Sequence, residues 1–411
     1  MDLLRFISAA QQSHSPEELW STQKLLLEAH RHIEKIIRKR RTVSLRIKNE
    51  KLKYSRSPTR SIDRIHRFDS VINSLEHSEA RCRSTQAALR YVGDSLCHRL
   101  VPEHHLSALS RGRAGSGVGF IFDKDGLELE LECAQAIVDR GNYAILADLT
   151  HCLTIADILS ITPNGMHLIE CKKSNSKQSS LPRLNRQDKR AKIISELLTN
   201  ETIDVSTAQR EELGLHTLPS HFVESNRSND KYHISDFIEA CSVSGLRANV
   251  IIPEQGLAYI ACAEGAFTGD IASRIPWGHS GSQLLFGWLN ERISGSRPYI
   301  PTLLNLGIPA PLLNEVLTDR IAFFTIIDVS TIQTGLQARG VEAGPLLTRE
   351  DGCWWDVTTP KTRLTVKLSA RRLEAVSYGL MSLSSALDIM AELVCTSLDG
   401  LLSKAKAEDP V

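Results

Sequence analysis

The chain has 411 residues, which is long enough for two or three domains. Its composition, 42% hydrophobic and 24% charged, is that of an ordinary soluble protein. No apolar run approaches the roughly 20 residues of a membrane span, and the N-terminal "MDLLRFISAAQQSHSPEELW" lacks a signal-peptide layout, so we expect a cytoplasmic protein that does not contact membranes. Nine widely spaced cysteines without a C-x-x-C pair argue against a zinc ribbon or a disulfide framework. The net charge is only +1, but the charged residues are unevenly distributed along the chain.

Residues 1–109 are predicted to form a helical hairpin. "SPEE" at residues 15–18 supplies a capping residue, a proline at the first helical position and two acids in the first turn. Apolar residues follow at helical spacing. A second helix is expected from Ile62 to about Leu100, and the break "SRSPTRS" would let the pair fold back on itself.

The basic residues concentrate near the predicted tip of this hairpin. Between Arg31 and Arg67, fourteen Lys or Arg stand against three acids, a local net charge of +11. Two interpretations stand side by side: a surface that grips DNA phosphates, and a solvated or partner-binding helical face. On the first, the candidate contacts are Arg38, Lys39, Arg40 and Arg41.

The stretch "SRGRAGSGVGF" at residues 110–120 is predicted to be a glycine-rich linker. No Gly-Lys-Ser/Thr follows its glycines, so it lacks the sequence of a phosphate-binding Walker loop. We place the first domain boundary here.

"LELELECAQAIVDRGNYAILADL" predicts a helix over about 127–140, stopped by Gly141, and then a short strand. A helical wheel places Glu130 on the apolar face with Leu127, Ala134 and Ile137. Glu132 falls on the polar face. We therefore expect Glu130 to point toward the core.

Two strands, 154–161 and 166–173, are predicted to form a hairpin around the turn "TPNG". Each strand carries an acid at its centre, Asp157 in the first and Glu170 in the second, with Lys172 two residues further on. A turn centred on Pro163-Asn164 would set Asp157 opposite Glu170, whereas one shifted by a residue would set it opposite Lys172. Because side chains alternate along a strand, the three groups share one face in either register.

Two carboxylates that face each other across strands repel, unless a cation lies between them or one is protonated. Mg²⁺ or Mn²⁺ is the natural cation, since Mg²⁺ is held by one or two carboxylates and completes its shell with water and substrate phosphate oxygens. Lys172 could orient an attacking water and neutralise charge in the transition state. The pattern predicts hydrolysis of a nucleic acid.

These residues resemble the PD-(D/E)XK nuclease superfamily, especially the Holliday-junction-resolvase-like and Mrr-like restriction endonucleases. The resemblance covers residues 120 to about 200 and rests on the acid-bearing helix, on Asp157 and on "HLIECKKS". It implies a restriction-endonuclease-like α/β core, in which a mixed sheet is flanked by helices. The departure is Ala156, where the family often has proline.

The resemblance also implies residue roles. The metal ligands would be Asp157, Glu170 and the backbone carbonyl of Cys171, the catalytic lysine Lys172, and the helix acid Glu130, with Glu132 as the alternative. The following helix, "LNRQDKRAKIISELL", would present Gln187 to the site, although a solvated helix face explains it equally well. Lys173 and Lys177 would contact the DNA backbone.

The sequence thus predicts four segments: a helical hairpin (1–109), a linker (110–120), a nuclease-like domain (121–265) and an α/β region of unassigned role (266–411). Within the third, "RANVIIPEQGLAYIACA" is expected to form a hairpin that extends the nuclease sheet. The predicted function is that of a metal-dependent DNA endonuclease, which by family analogy would fit bacterial phage defence or restriction. The alternative is an inert nuclease fold that binds nucleic acid, a protein partner or a second copy through its helical hairpin.

Overall fold

A computed structural model describes most of the chain in segments. The described residues are 2–56, 61–102, 105–106, 109–110, 120–124, 126–171, 232–242, 248–263, 274–277, 283–289, 302–349, 352–359, 365–369 and 373–408. Lys172, Lys173, Lys177 and Gln187, predicted as site residues, lie outside them. No helix within these segments is both long enough and apolar enough to cross a membrane.

The chain forms two compact units, Met1–Ser220 with Ile293–Pro298, and His221–Arg292 with Tyr299–Val411. The first unit contains both the N-terminal helices and the strands near Asp157, although the sequence pattern assigns them to separate segments. The architecture is mixed α/β, with an N-terminal helical region and small antiparallel sheets.

Three helices open the first unit: α1 (Leu4–Gln12), α2 (Pro16–Ser55) and α3 (Ile62–Leu100). The predicted start of α2 is confirmed, since the Ser15 hydroxyl accepts from the Glu18 amide and the Glu18 carboxylate accepts from the Ser15 amide. The predicted hairpin is confirmed as well. Ion pairs join its two helices along their length: Arg41–Glu79, Lys48–Glu76 and Lys51–Asp69.

The next four elements follow the predicted order: α4 (Leu127–Val138), β1 (Tyr143–Leu146), β2 (Ile158–Thr162) and β3 (Gly165–Ile169). The strands form an antiparallel sheet in the order β1-β2-β3. Ile161 pairs with Met166, which is the register expected for a turn centred on Pro163-Asn164.

The predicted strands 154–161 and 166–173 were too long. The paired residues run only from Ile158 to Thr162 and from Gly165 to Ile169, so the two acids lie just outside the strand ends and not at their centres. Continuing the register by one pair sets Asp157 opposite Glu170. A strand end is a less costly place for an ionised group than a strand centre, because its backbone and side chain retain access to water.

A side chain of α2 completes the outer edge of β1. The buried Gln23 donates to the Ala144 carbonyl (2.7 Å) and accepts from the Leu146 amide (2.8 Å), so its amide group takes the place of a neighbouring strand. Trp20, one turn earlier, donates to Gln135 of α4. These contacts bind the N-terminal helices to the sheet and explain why both belong to one unit.

The second unit contains two antiparallel sheets and five α-helices within its described residues. The strands are β4 (Asn249–Glu254), β5 (Leu257–Ala263), β6 (Leu284–Trp288), β7 (Ile321–Asp328), β8 (Glu342–Arg349), β9 (Gly352–Thr358) and β10 (Thr365–Ser369). The helices are α5 (Ile234–Cys241), α6 (Ala310–Leu317), α7 (Val329–Ala338), α8 (Glu374–Gly379) and α9 (Leu383–Glu408).

The predicted β4–β5 hairpin is confirmed, but its expected place in the nuclease sheet is wrong. It belongs to the separate sheet β4-β5-β7-β6, because the second edge of β5 pairs with β7. Among the described strands every pair is antiparallel, so the mixed sheet expected from the family resemblance is not seen there.

A histidine–glutamate pair connects three elements of the second unit. His233, at the start of α5, contacts Asp236 (3.1 Å) and Glu254 of β4 (2.9 Å). The Glu254 carboxylate also accepts from the amides of Leu383 and Ser384 at the beginning of α9. The carboxylate therefore joins α5, β4 and α9.

Candidate functional site

The predicted acid Asp157 is fixed from three sides. Its carbonyl accepts from the Ala147 amide (2.9 Å) and its amide donates to the Ile169 carbonyl (3.1 Å). Its Oδ2 accepts from the Cys171 amide (2.9 Å), which leaves Oδ1 to face another group. The Cys171 amide therefore contacts the Asp157 carboxylate directly.

That other group is Lys124, a residue that the sequence pattern does not single out. Its Nζ lies 2.7 Å from Asp157 Oδ1, 2.8 Å from Glu130 Oε1 and 3.1 Å from Asp148 Oδ2. Three carboxylates thus converge on one ammonium. Four charged groups with one positive and three negative members carry a formal charge of −2.

The helix acid points inward, as the wheel predicted. Glu130 lies in α4 with only 2% of its surface exposed, whereas Glu132 is exposed. Ala134 and Val138, on the same face of α4, are buried too. The apolar stripe of the helix therefore determines which acid reaches the interior.

Burial and the neighbouring charges shift the pKa values in this cluster. Burial raises the pKa of Glu130, and the Lys124 hydrogen bond offsets only part of that effect. Burial lowers the pKa of Lys124, but attraction to Asp148 and hydrogen bonds to Asp157 and Glu130 outweigh it, so that the net shift is upward. Lys124 is therefore protonated at neutral pH. Burial, with Cys133 and Asp157 nearby, raises the pKa of the Cys171 thiol to about 12.

Helix α2 places Lys124 by holding the residues before it. The Glu34 carboxylate accepts from the Ile121 amide (2.8 Å) and the Phe122 amide (3.3 Å). The Phe122 ring lies under Arg31, and the Phe120 ring contacts both Arg38 and Arg41, at 5.1–5.3 Å from ring centre to guanidinium carbon. The segment is thus anchored, and it delivers Lys124 to the acids.

Helix α3 places Asp148. Asp148 belongs to the short 3-10 helix Ala147–Leu149, whose backbone accepts a hydrogen bond from Arg90 (3.2 Å). Gly93 lies directly against this segment: a Cβ there would be 2.0 Å from the Leu149 carbonyl oxygen. One turn of α3 therefore packs so closely on the segment that only glycine fits.

A carboxylate of α3, that of Asp94, fixes the residues that follow the 3-10 helix Ala147–Leu149. Asp94 Oδ1 accepts from the amides of His151 (2.7 Å) and Cys152 (3.0 Å), and Oδ2 lies 2.9 Å from His151 Nδ1. Burial opposes ionisation of Asp94, but His151 and these hydrogen bonds outweigh it and lower its pKa. These hydrogen bonds therefore fix the backbone of the segment between β1 and β2 at His151 and Cys152.

Glu170 is exposed directly after β3 and lies opposite Asp157 in the continued register. The predicted partners Lys172 and Gln187, and the predicted DNA contacts Lys173 and Lys177, lie outside the described residues. The structure therefore brings together Glu130 and Asp157 from the predicted set. Cys171, predicted to bind metal through its carbonyl, contacts Asp157 through its amide.

The predicted basic patch is in large part engaged within the chain. Arg38 and Arg41 contact the Phe120 ring, Arg41 also pairs with Glu79, and Arg40 donates to the Ser78 carbonyl and to Cys82 Sγ. Lys39 is exposed. The arginines of this patch help to hold the hairpin and the segment before Lys124.

Lys124 and Asp148 were missed for different reasons. Lys124 follows a glycine-rich stretch whose composition is that of a linker, and nothing local indicates that it meets acids 6, 24 and 33 residues away. Asp148 had a usable signal: it comes two residues after a buried strand, and strand ends commonly carry site residues.

The cluster has the chemistry of a hard-cation site but is filled by an amine. Carboxylate oxygens are the ligands that Mg²⁺ and Mn²⁺ prefer. Across the described parts of the chain, however, no group of three or more His, Cys, Asp or Glu side chains is arranged so that it could hold a metal ion. The point where Glu130, Asp148 and Asp157 converge is taken by Lys124.

Comparison of the chain with protein-family models, with curated proteins and with solved structures gave no match. The fold itself defines the chain as a mixed α/β protein with an N-terminal helical hairpin and small antiparallel sheets.

Proposed function

We propose that the protein is a metal-dependent endonuclease that hydrolyses DNA phosphodiester bonds at the acid cluster beside Asp157. The observation that carries the proposal is the convergence of Glu130, Asp148 and Asp157 on one cation, with a formal charge of −2 left over. Glu130 is buried and Asp148 and Asp157 are partly buried, and an excess of such carboxylates is costly unless cations compensate it. A divalent cation carries twice the charge of the Lys124 ammonium and would compensate it more fully.

The arrangement of elements supports the same proposal. An acid-bearing helix precedes three antiparallel strands, and the two hairpin acids stand opposite each other, as in the PD-(D/E)XK resemblance. Asp157, Glu170 and the Cys171 carbonyl would hold Mg²⁺ or Mn²⁺. When bound, the metal would polarise the scissile phosphate and lower the pKa of an attacking water.

Side-chain and backbone groups of this chain would orient the reacting water and phosphate. The Cys171 amide fixes one oxygen of Asp157, so the carboxylate cannot rotate freely. Glu130 is held in the interior by α4 and would accept a hydrogen bond from a water beside Asp157. Lys172 would place its ammonium next to the charge that develops on the phosphate.

The direct test is cleavage of supercoiled plasmid with Mg²⁺ or Mn²⁺. We expect nicking or cutting by the parent protein and none by Asp157→Ala, Glu170→Ala or Lys172→Ala. Glu132→Ala, a change of the exposed acid on α4, serves as the matched control and should cut like the parent. If the three site variants also cut like the parent, the site is misassigned.

A second function has one observation in its favour. Lys124 already pairs with the three acids, which is what a purely structural ion cluster would do, and the hairpin exposes apolar side chains at Leu45, Leu52 and Ile62. An inert protein that binds a partner through its hairpin would show both features. Melting curves in millimolar Mn²⁺ separate the two: metal binding raises the melting temperature of the parent but not of Asp157→Ala, whereas an inert protein is unaffected.

A further inference from the structure

Lys124 contacts the oxygen of Asp157 that the proposed divalent cation would need, since the other oxygen of this carboxylate accepts from the Cys171 amide. Its Nζ lies within 3.1 Å of an oxygen of each of three carboxylates. A bound Mg²⁺ draws carboxylate oxygens to about 2.0–2.1 Å. Asp157 Oδ1 cannot serve both cations at once, and the two positive charges repel each other.

The position of Lys124 is built into the fold. Glu34 holds the backbone of Ile121 and Phe122, and the arginines of α2 hold the two phenylalanine rings. These contacts fix the backbone directly before Lys124. Its side chain, by contrast, is 31% exposed and ends a flexible four-carbon stem. The ammonium can therefore leave the acids while the backbone stays in place.

We propose that Lys124 is the counter-ion of the acid cluster in the metal-free protein and that a divalent cation must displace it. This inference rests on the proposed metal-dependent function. Lys124 keeps Glu130, Asp148 and Asp157 together when no metal is bound, so that mutual repulsion does not separate them. The affinity for metal is weaker as a result, since each binding event must break the contact of Lys124 with Asp157 and overcome the repulsion between the two cations.

Two consequences distinguish this role from that of a catalytic or purely structural lysine. Removal of the charge should strengthen metal binding, whereas loss of a supporting residue would weaken it. In addition, metal should release the Lys124 amine to solvent, where it becomes accessible to chemical modification. Neither readout requires cleavage of DNA.

The first experiment measures Mn²⁺ binding by calorimetry, in the absence of DNA, to the parent and to Lys124→Gln. We expect Lys124→Gln to bind at least about tenfold more tightly than the parent. Lys35→Gln is the matched control, because it removes one exposed positive charge from α2 of the same unit, and it should bind within about twofold of the parent. Asp157→Asn should abolish binding in both the parent and the Lys124→Gln background.

The second experiment uses the parent chain alone and so does not depend on how the variant folds. Lysines are acetylated briefly with and without Mn²⁺, and the modified sites are identified by mass spectrometry. We expect Lys124 to be protected without metal and modified several-fold faster with it, while Lys35 is unchanged.

Each remaining outcome is decisive. Equal or weaker Mn²⁺ binding by Lys124→Gln, or unchanged protection of Lys124 in saturating Mn²⁺, overturns the displacement while the metal site stands. If neither the parent nor Lys124→Gln binds Mn²⁺, the proposed function fails, and the inference fails with it.

Discussion

The acids Glu130 and Glu132 of α4 offer a matched pair for mutation, because Glu130 is buried and pairs with Lys124 whereas Glu132 is exposed. We predict that Glu130→Gln lowers DNA cleavage by about 10- to 100-fold, the usual effect of losing a group that orients metal ligands. Glu132→Gln should be close to silent. The initial rates of plasmid nicking test this, with circular dichroism to verify the fold. Equal losses in both variants would contradict the inward role of Glu130.

The His233–Glu254 pair predicts how stability depends on pH. Burial lowers the pKa of His233, but Glu254 outweighs it, so the pKa rises above 6.5. Burial raises the pKa of Glu254, but His233 and the Leu383 amide outweigh it, so the pKa falls below 4.5. The stabilisation from His233 is therefore complete below pH 6.5 and is lost as pH rises through its folded-state value. That from Glu254 is present above pH 4.5 and is lost on acidification.

We accordingly predict that His233→Gln loses about 1.5–3 kcal/mol of unfolding free energy near pH 6, the usual worth of hydrogen bonds to charged groups. The difference from the parent should shrink as pH rises toward 9. Urea unfolding at pH 6, 7.5 and 9 measures both. Parallel pH profiles for the two proteins would show that this histidine does not carry the dependence.

Among the elements, the contact between α2 and β1 predicts a large effect from a single amide. Gln23→Leu keeps the size of the side chain but leaves the Ala144 carbonyl and the Leu146 amide unpaired in a buried position. We expect a loss of about 1–3 kcal/mol for each group, measured by chemical denaturation. Gln12→Leu, an exposed change at the end of α1, is the control and should stay within about 0.5 kcal/mol of the parent.

The close approach of α3 to the turn that carries Asp148 predicts a reversal of the usual helix rule. Glycine-to-alanine changes inside helices ordinarily stabilise by about 0.5–1 kcal/mol. Gly93→Ala should instead destabilise by about 1–3 kcal/mol or more, because its Cβ meets rigid backbone at Leu149. Gly335→Ala in α7 is the comparison, since the one contact of its Cβ below 3 Å is with the end of the Leu387 side chain. A stabilised Gly93→Ala protein would refute the contact.

The same elements show how far the sequence could be interpreted. The start of α2 and the span of α4 follow from capping and periodicity, which are local, whereas the turn residues left two hairpin registers open and the structure has one of them. The strand ends were placed too far out, because alternation alone does not reveal where pairing stops. The contact of Lys124 with Asp157 spans 33 residues, and that of Gln23 with Ala144 spans 121. Such pairs depend on how elements pack, which no local pattern encodes.

At the scale of the whole molecule, the basic hairpin predicts a salt-dependent affinity for DNA. If Arg38, Lys39, Arg40 and Arg41 bind phosphates, their joint change to Ala should flatten the plot of log affinity against log salt by about 0.9 for each phosphate that is no longer neutralised. Fluorescence anisotropy with a labelled duplex measures the slope. Because Arg40 and Arg41 also bind α3, circular dichroism must show that the hairpin remains folded. An unchanged slope would assign the segment to protein partners.

The Gln23 contact has a consequence for dissecting the chain. This side chain covers the outer edge of β1 at Ala144 and Leu146, and it comes from a helix more than a hundred residues upstream. A fragment that starts at residue 121 would present an open strand edge, a template on which further copies can add strands. Such a fragment should precipitate or form fibrils at concentrations where the full chain stays dispersed. The N-terminal helices thus act as a built-in safeguard against aggregation.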